Sequence, residues 1–306
     1  MPAIASEFRA TGFCCLLLAA AAAQAQQLEP RAYSNLPMGL NFLLAGYTYS
    51  SGGLATDPAL PLENTDLEIH APFVGYARAF DAWGKSAKLD AVLATACLSG
   101  SAETNGVPVS RDVCGALDPA VRVSVNLYGA PALQLEEFRR YRQDLILGAS
   151  LQVAAPLGQY DSSRLVNLGS HRWMFKPEIG MSKKLGALIA EAAIGASLFT
   201  TNHDFFGGKT REQAPVVHGQ LHLIYEFAGG TWLALNGTYY KGGRTTVNGV
   251  EQNDELGNSR LGATLAWPLD RHHSIKLHAS KGVTVRAGED FRTVGLAWQY
   301  RWGGGL

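Results

Sequence analysis

Hydrophobic and polar residues alternate with period two along most of the chain. Between 121 and 128, Val121, Val123, Val125 and Leu127 oppose Arg122, Ser124, Asn126 and Tyr128. Between 145 and 153, Leu145, Leu147, Ala149, Leu151 and Val153 oppose Gly148, Ser150 and Gln152, and between 260 and 267, Leu261, Ala263, Leu265 and Trp267 oppose Arg260, Gly262 and Thr264. Successive strand residues point to opposite faces, so each segment reads as a strand with one apolar face and one small or polar face. Segments of this kind predict strands near 38–50, 70–80, 86–98, 120–129, 143–155, 172–183, 187–200, 216–227, 231–241, 259–268, 273–284 and 292–302. In the last, Val294, Leu296, Trp298, Tyr300 and Trp302 share one face, and Thr293, Gly295, Ala297, Gln299 and Arg301 share the other. Two tryptophans and a tyrosine on one face suit a strand whose apolar side meets lipid. Such a strand must pair with the first, near 38–50, because an unpaired edge does not persist in a bilayer. The fold class is therefore all-β: an antiparallel transmembrane β-barrel of about 12 strands.

The connections carry a second signal, because they alternate in length. Long ones are expected at 51–69, 99–119, 156–171, 201–215 and 242–258, with a shorter member at 285–291; tight turns fall at 81–85, 184–186, 228–230 and 269–272. Long loops on one rim and short turns on the other are the outer-membrane pattern, with both termini expected on the periplasmic side. The connection 130–142 is too long for a turn, and QLEEFRRYRQ, with Glu136 and Glu137 placed to meet Arg140 and Tyr141, predicts a short helix there. Tyr47, Tyr49, Trp173, Phe175, Trp232, Tyr239, Tyr240, Trp267 and Trp302 lie near strand ends and are expected to form aromatic girdles at the headgroup level.

Composition narrows the class. The chain is 47% hydrophobic and 17% charged, with 26 acidic and 26 basic residues, which excludes disorder and gives no electrostatic case for nucleic acid. Arg9, an apolar run from Phe13 to Ala23 and the Ala23-Gln24-Ala25 step read as a signal peptide over 1–25, leaving a barrel domain over 26–306. That run is too short to span a membrane as a helix, and Cys14 and Cys15 sit at its start, so no lipid-modified N-terminus is expected. Cys97 and Cys114 remain after cleavage; in an oxidising compartment they are a candidate disulfide, the alternative being two free buried thiols.

The inward faces hold the candidate chemistry. Lys88, Asp90, Arg122, Lys176, Glu178, Glu191, Glu226, Arg260, Lys276 and Arg301, with His218, Gln220, His222, His278 and Gln299, are the lumen-lining candidates. Charge within a spanning strand is tolerable only where it faces water or an opposite charge. Interior salt bridges filling a narrow barrel and a polar passage with charged walls both satisfy this, and twelve strands lie between filled and open barrels. His218 and His222 do not make a metal site in a strand, where four residues span about 13 Å, and Asp270-Arg271-His272-His273 reads as a charged turn. No catalytic residue, metal or cofactor is assigned. Ser124, Ser150, His222 and His278 face inward without a signature joining them into a hydrolytic site, so an enzymatic or structural envelope role stands as the alternative to transport.

The strings LEPRAYSNLPMGLNFLLAGYTYSSGG at 28–53, VRVSVNLYGAPAL at 121–133, GASLQVAAPLGQYD at 148–161, NHDFFGGKTREQ at 202–213, TYYKGGRTTVNGV at 238–250 and TVGLAWQYRWGGGL at 293–306 resemble the family of outer-membrane transporters named for the MetA pathway of phenol degradation. The resemblance covers nearly the whole mature chain. It implies a bacterial outer-membrane barrel passing small molecules, aromatic or hydrophobic ones among the candidates. The partners expected are outer-membrane lipid, the solute and the barrel-assembly machinery, with no nucleic acid. Barrel chains usually end on an aromatic residue, whereas this one continues four residues past Trp302.

Overall fold

The computed structural model describes residues 30–55, 62–104 and 107–306; the segment expected to be a signal peptide lies outside them. The strands are β1 (Leu40–Ala55), β2 (Leu62–Ala82), β3 (Lys85–Thr104), β4 (Val107–Ala116), β5 (Ala120–Tyr128), β6 (Leu145–Ala154), β7 (Met174–Leu185), β8 (Leu188–Phe199), β9 (Asn202–Phe205), β10 (Lys209–Gln213), β11 (Val216–Glu226), β12 (Trp232–Gly242), β13 (Thr245–Val247), β14 (Val250–Glu251), β15 (Leu256–Pro268), β16 (His273–Thr284) and β17 (Gly288–Gly303). The large sheet runs β2-β1-β17-β16-β15-β12-β11-β8-β7-β6-β5-β3, and β2 pairs β3 to close it into a twelve-strand antiparallel barrel. Both β4 and β5 pair β3, one after the other along its length, so together they make one stave broken at residues 117–119. The closing pair is β1 with β17, in a register that sets Tyr47 opposite Leu296 and Gly46 opposite Ala297.

Alternation is visible in the burial of every stave. On β17, Val294 and Leu296 are exposed while Phe291 and Ala297 are buried; on β7, Phe175 and Ile179 are exposed while Lys176 and Glu178 are buried. The outward set is apolar, because the outer solvent is lipid, whereas the inward set mixes polar and charged residues such as Lys176, Glu178 and Gln220 with apolar ones such as Ile146 and Ile224. The two rims differ as well. At one, β2 turns into β3 through Trp83 and Gly84, both left-handed (φ 55° and 77°), which is what a two-residue hairpin matching the strand twist requires.

Several sequence expectations need correction. The stretch 99–119 is no loop: β3 continues to Thr104 and returns as β4, a hairpin reaching beyond the β3–β5 pairing. Likewise β1 and β2 extend through much of 51–69. Beyond the bilayer water could partner these amides, and the strands instead keep their pairing out to the tips. The 201–215 and 242–258 connections contain β9, β10, β13 and β14, which form a separate four-strand sheet capping the long-connection rim. The helix expected in 130–142 is a single turn, Leu135–Phe138, held by a capping box between Gln134 and Glu137. Glu136 there pairs with Arg139 rather than Arg140, at 3.3 Å. Trp232 and Tyr240 do not join an outer girdle, since even-numbered residues of β12 face inward; Tyr240 is 1% exposed and Tyr239, its outward neighbour, 51%.

Cys97 and Cys114 face each other directly across the β3–β4 ladder and are bonded. The bond clamps two adjacent strands of a protruding hairpin. By loop entropy such a closure is worth about 3 kcal/mol, felt locally because the hairpin projects past the barrel. Reduction is expected to make 99–112 the first site of protease nicking while the barrel keeps its heat-modifiable gel migration; equal nicking of oxidised and reduced protein would refute this.

Candidate functional site

The barrel interior is occupied by the segment that precedes β1. Residues 30–39 run inside the wall, with Tyr33 buried and Asn35 and Pro37 likewise. Gly148 on β6 and Gly180 on β7 oppose each other on inward positions, and the Tyr33 ring lies against both: a Cβ on either glycine would collide with it. These two positions need glycine because another side chain already fills the space a Cβ would take. Tyr33 donates its hydroxyl to Glu178 Oε1 at 2.9 Å and shares a 3.3 Å contact with Ser150 Oγ. Arg31 pairs with Glu226 at 2.9 Å, donates its backbone N–H to Glu191 Oε2 at 2.7 Å and lies over the Trp232 ring. The Lys88 ammonium reaches the Ala32 carbonyl at 3.4 Å, and where the segment leaves the lumen, Met38 and Gly39 donate to Leu133 and Ala79.

Glu178 is the centre of the wall network. Its Oε2 accepts from Gln220 Nε2 at 2.9 Å and lies 3.1 Å from His218 Nε2, so with Tyr33 three groups converge on one buried carboxylate. Lys176 projects from the same inward row of β7. Glu191 accepts from Ser182 at 2.9 Å, and Glu226 is also bonded to Lys184. A second group of charges lies on β3 and β5, where Asp90 accepts from Arg122 at 3.3 Å and faces Lys88 at 3.6 Å. Arg260 donates to Ser280 and to the Phe291 carbonyl. His222 bonds Asn236 at 2.8 Å, and Asn236 donates onward to Thr264. Lys276 points toward the inner face of Trp232, and His278 lies on Gly295. Gln299 follows on an inward position of β17, and Arg301 closes the rim by donating to the Arg271 carbonyl at 2.7 Å.

The serines and histidines that a hydrolase would need are not joined. Ser150 touches Tyr33, Ser124 reaches the Lys88 carbonyl, and His222 is committed to Asn236. Among the described residues no three His, Cys, Asp or Glu side chains gather where a metal could be held, and in the Asp270–His273 turn the carboxylate accepts the His272 and His273 backbone N–H groups.

Two features escaped the sequence. Tyr33 sits in a turn-rich string without period two, and nothing in it marks an inward course. Arg172 stands two residues before β7 on the long-connection rim, 3% exposed. Its Cζ lies 4.3 Å from the Phe199 ring centre and its Nη2 donates to Gln213 of β10. Nε and Nη1 have no hydrogen-bond partner among the described residues. Burial first, then the neighbouring Arg211 charge, hold this guanidinium well below the usual arginine range. Asp118 anchors the adjoining 156–171 connection by accepting from the Gly158 and Ser170 N–H groups and the Ser170 hydroxyl.

A closed, lipid-faced barrel with a charged interior and a segment threaded into it defines an outer-membrane β-barrel. The chain belongs to the family described as "Putative MetA-pathway of phenol degradation", whose model matches residues 57–300. Among solved structures it is similar to the COG4313 outer membrane channel from Pseudomonas putida F1, with a TM-score of 0.73 at 19% identity over 90% of this chain and 100% of that one. It is also similar to the translocator domain of the autotransporter NalP from Neisseria meningitidis, with a TM-score of 0.51 at 10% identity over 92% of this chain and 96% of that one. At these identities the likeness is one of fold. No curated protein matches it by sequence.

Proposed function

We propose that the protein is an outer-membrane uptake channel for small molecules, aromatic or hydrophobic ones included, whose lumen is closed by its own residues 30–39. In this reading the short-turn rim and both termini face the periplasm, and the capped rim faces outside. The observation that carries it is the seat of Tyr33 and Arg31 in the polar wall. A purely structural filler would be served by apolar packing, whereas a segment held by hydrogen bonds and ion pairs has polar partners that water can replace when it moves. The likeness to the COG4313 channel supports a transport role, and the family description, phenol degradation, supports aromatic solutes.

Flux into proteoliposomes tests the reading, with phenol compared against a sugar that is too polar to follow an apolar route. Phenol uptake above protein-free vesicles, exceeding that of the sugar, is the expected result. Folded protein that passes neither, with residues 30–36 deleted as well as intact, would overturn it.

A further inference from the structure

We propose that Arg172 is the recognition group of a binding site for a small aromatic carboxylate at the capped mouth of the barrel. Several observations meet there. The guanidinium is buried, yet among the described residues only its Nη2 finds an acceptor, leaving the N–H groups on Nε and Nη1 without one. An unmet buried donor is destabilising, more so when charged, so the arrangement is one that an anionic oxygen would stabilise. Arg211, 7% exposed, adds a second guanidinium to the same region. Asp118, an acid of the same rim, accepts from the amides and hydroxyl of the neighbouring connection.

The surroundings select the rest of the ligand. Arg172 lies over Phe199, Arg211 over Phe205, and Tyr160 stacks on His171 with centroids 4.5 Å apart. Phe199 in turn packs on the cluster of Val216 and Tyr240 inside the wall. A planar fork that accepts a carboxylate, set among ring faces, fits a one-ring acid better than a hydrated mineral anion or a sugar. Since the unmet donors are covered, binding requires the cap formed by 156–171 and β9–β10 to give way, which places the site where a solute would first meet the channel.

This rests on the uptake reading for its purpose only, because binding is measured without flux. Calorimetry on the full-length protein in detergent micelles would compare benzoate, benzyl alcohol and acetate. Benzoate is expected to bind at least about tenfold more tightly than the neutral alcohol, the scale of a charge-assisted hydrogen bond, and more tightly than acetate. In Arg172→Met that preference over the alcohol should vanish, and in Arg172→Lys it should fall without vanishing, with heat-modifiable migration reporting the fold of each. Equal affinity of the native protein for benzoate and benzyl alcohol overturns the proposal whatever the variants do; so does unchanged benzoate binding in folded Arg172→Met. Acetate binding as tight as benzoate overturns the aromatic part. Benzoate binding with no flux would count against the transport reading and leave this site standing.

Discussion

Replacing Gly180 with valine is expected to raise single-channel conductance in planar bilayers several-fold while the barrel still folds. The Tyr33 ring lies where a valine side chain would stand, against both Gly180 and the opposed Gly148, so a side chain at 180 must push the ring off its seat. Seating of 30–39 rests on the Tyr33–Glu178 bond, worth about 1.5–3 kcal/mol because its acceptor is a carboxylate, and on the Arg31–Glu226 pair. The latter is about a quarter exposed on each side and contributes roughly 1 kcal/mol at most. Loss of about 3 kcal/mol shifts a seated–unseated equilibrium by roughly a hundredfold, enough to convert a rare opening into a common one. Tyr33→Ala should act the same way, and the double variant should add little, since both changes break one contact. Native conductance in a folded Gly180→Val barrel would show that the segment does not limit the pore.

The second large effect is on folding. Leu296 is 50% exposed on β17, opposite Tyr47 of β1 on the closing seam, while Ala297 beside it is 5% exposed and faces in. Leu296→Arg places a cation in the apolar belt and should cost about 2–4 kcal/mol near the midplane. Ala297→Ser should cost far less, since a hydroxyl added inside meets a polar interior. Urea unfolding in lipid vesicles, followed by heat-modifiable migration, reads both. A larger loss for the inward change than for the outward one would mean that the strand is turned by one residue, exchanging every inward position for its neighbour.

The first, second and seventh predicted strands alternate too loosely to assign their faces. In the regular staves alternation by itself determined which residues face lipid, because the side-chain period of a strand is two and one face must meet hydrocarbon. That is why Leu261, Ala263 and Leu265 could be set outward, and Arg260 and Thr264 inward, from the letters alone, and why closure by the last strand followed from the cost of an open edge in lipid. Where two aromatics are consecutive, as at Tyr239 and Tyr240, composition misleads and register decides, since neighbours cannot share a face. The part of the protruding hairpin beyond Leu98 reads in the sequence as a long connection and not as strand, because outside the bilayer no lipid enforces the alternation. What only the tertiary structure decided is the use of the interior. Tyr33 lies 145 residues from Glu178, and Arg31 160 from Glu191, separations at which no local pattern reports a contact. The slot between Gly148 and Gly180 exists only once β6 and β7 are side by side. Arg172 became a candidate in the same way: its burial and its unmet N–H groups are products of the cap folding over it, and neither is a property of the residue in its sequence.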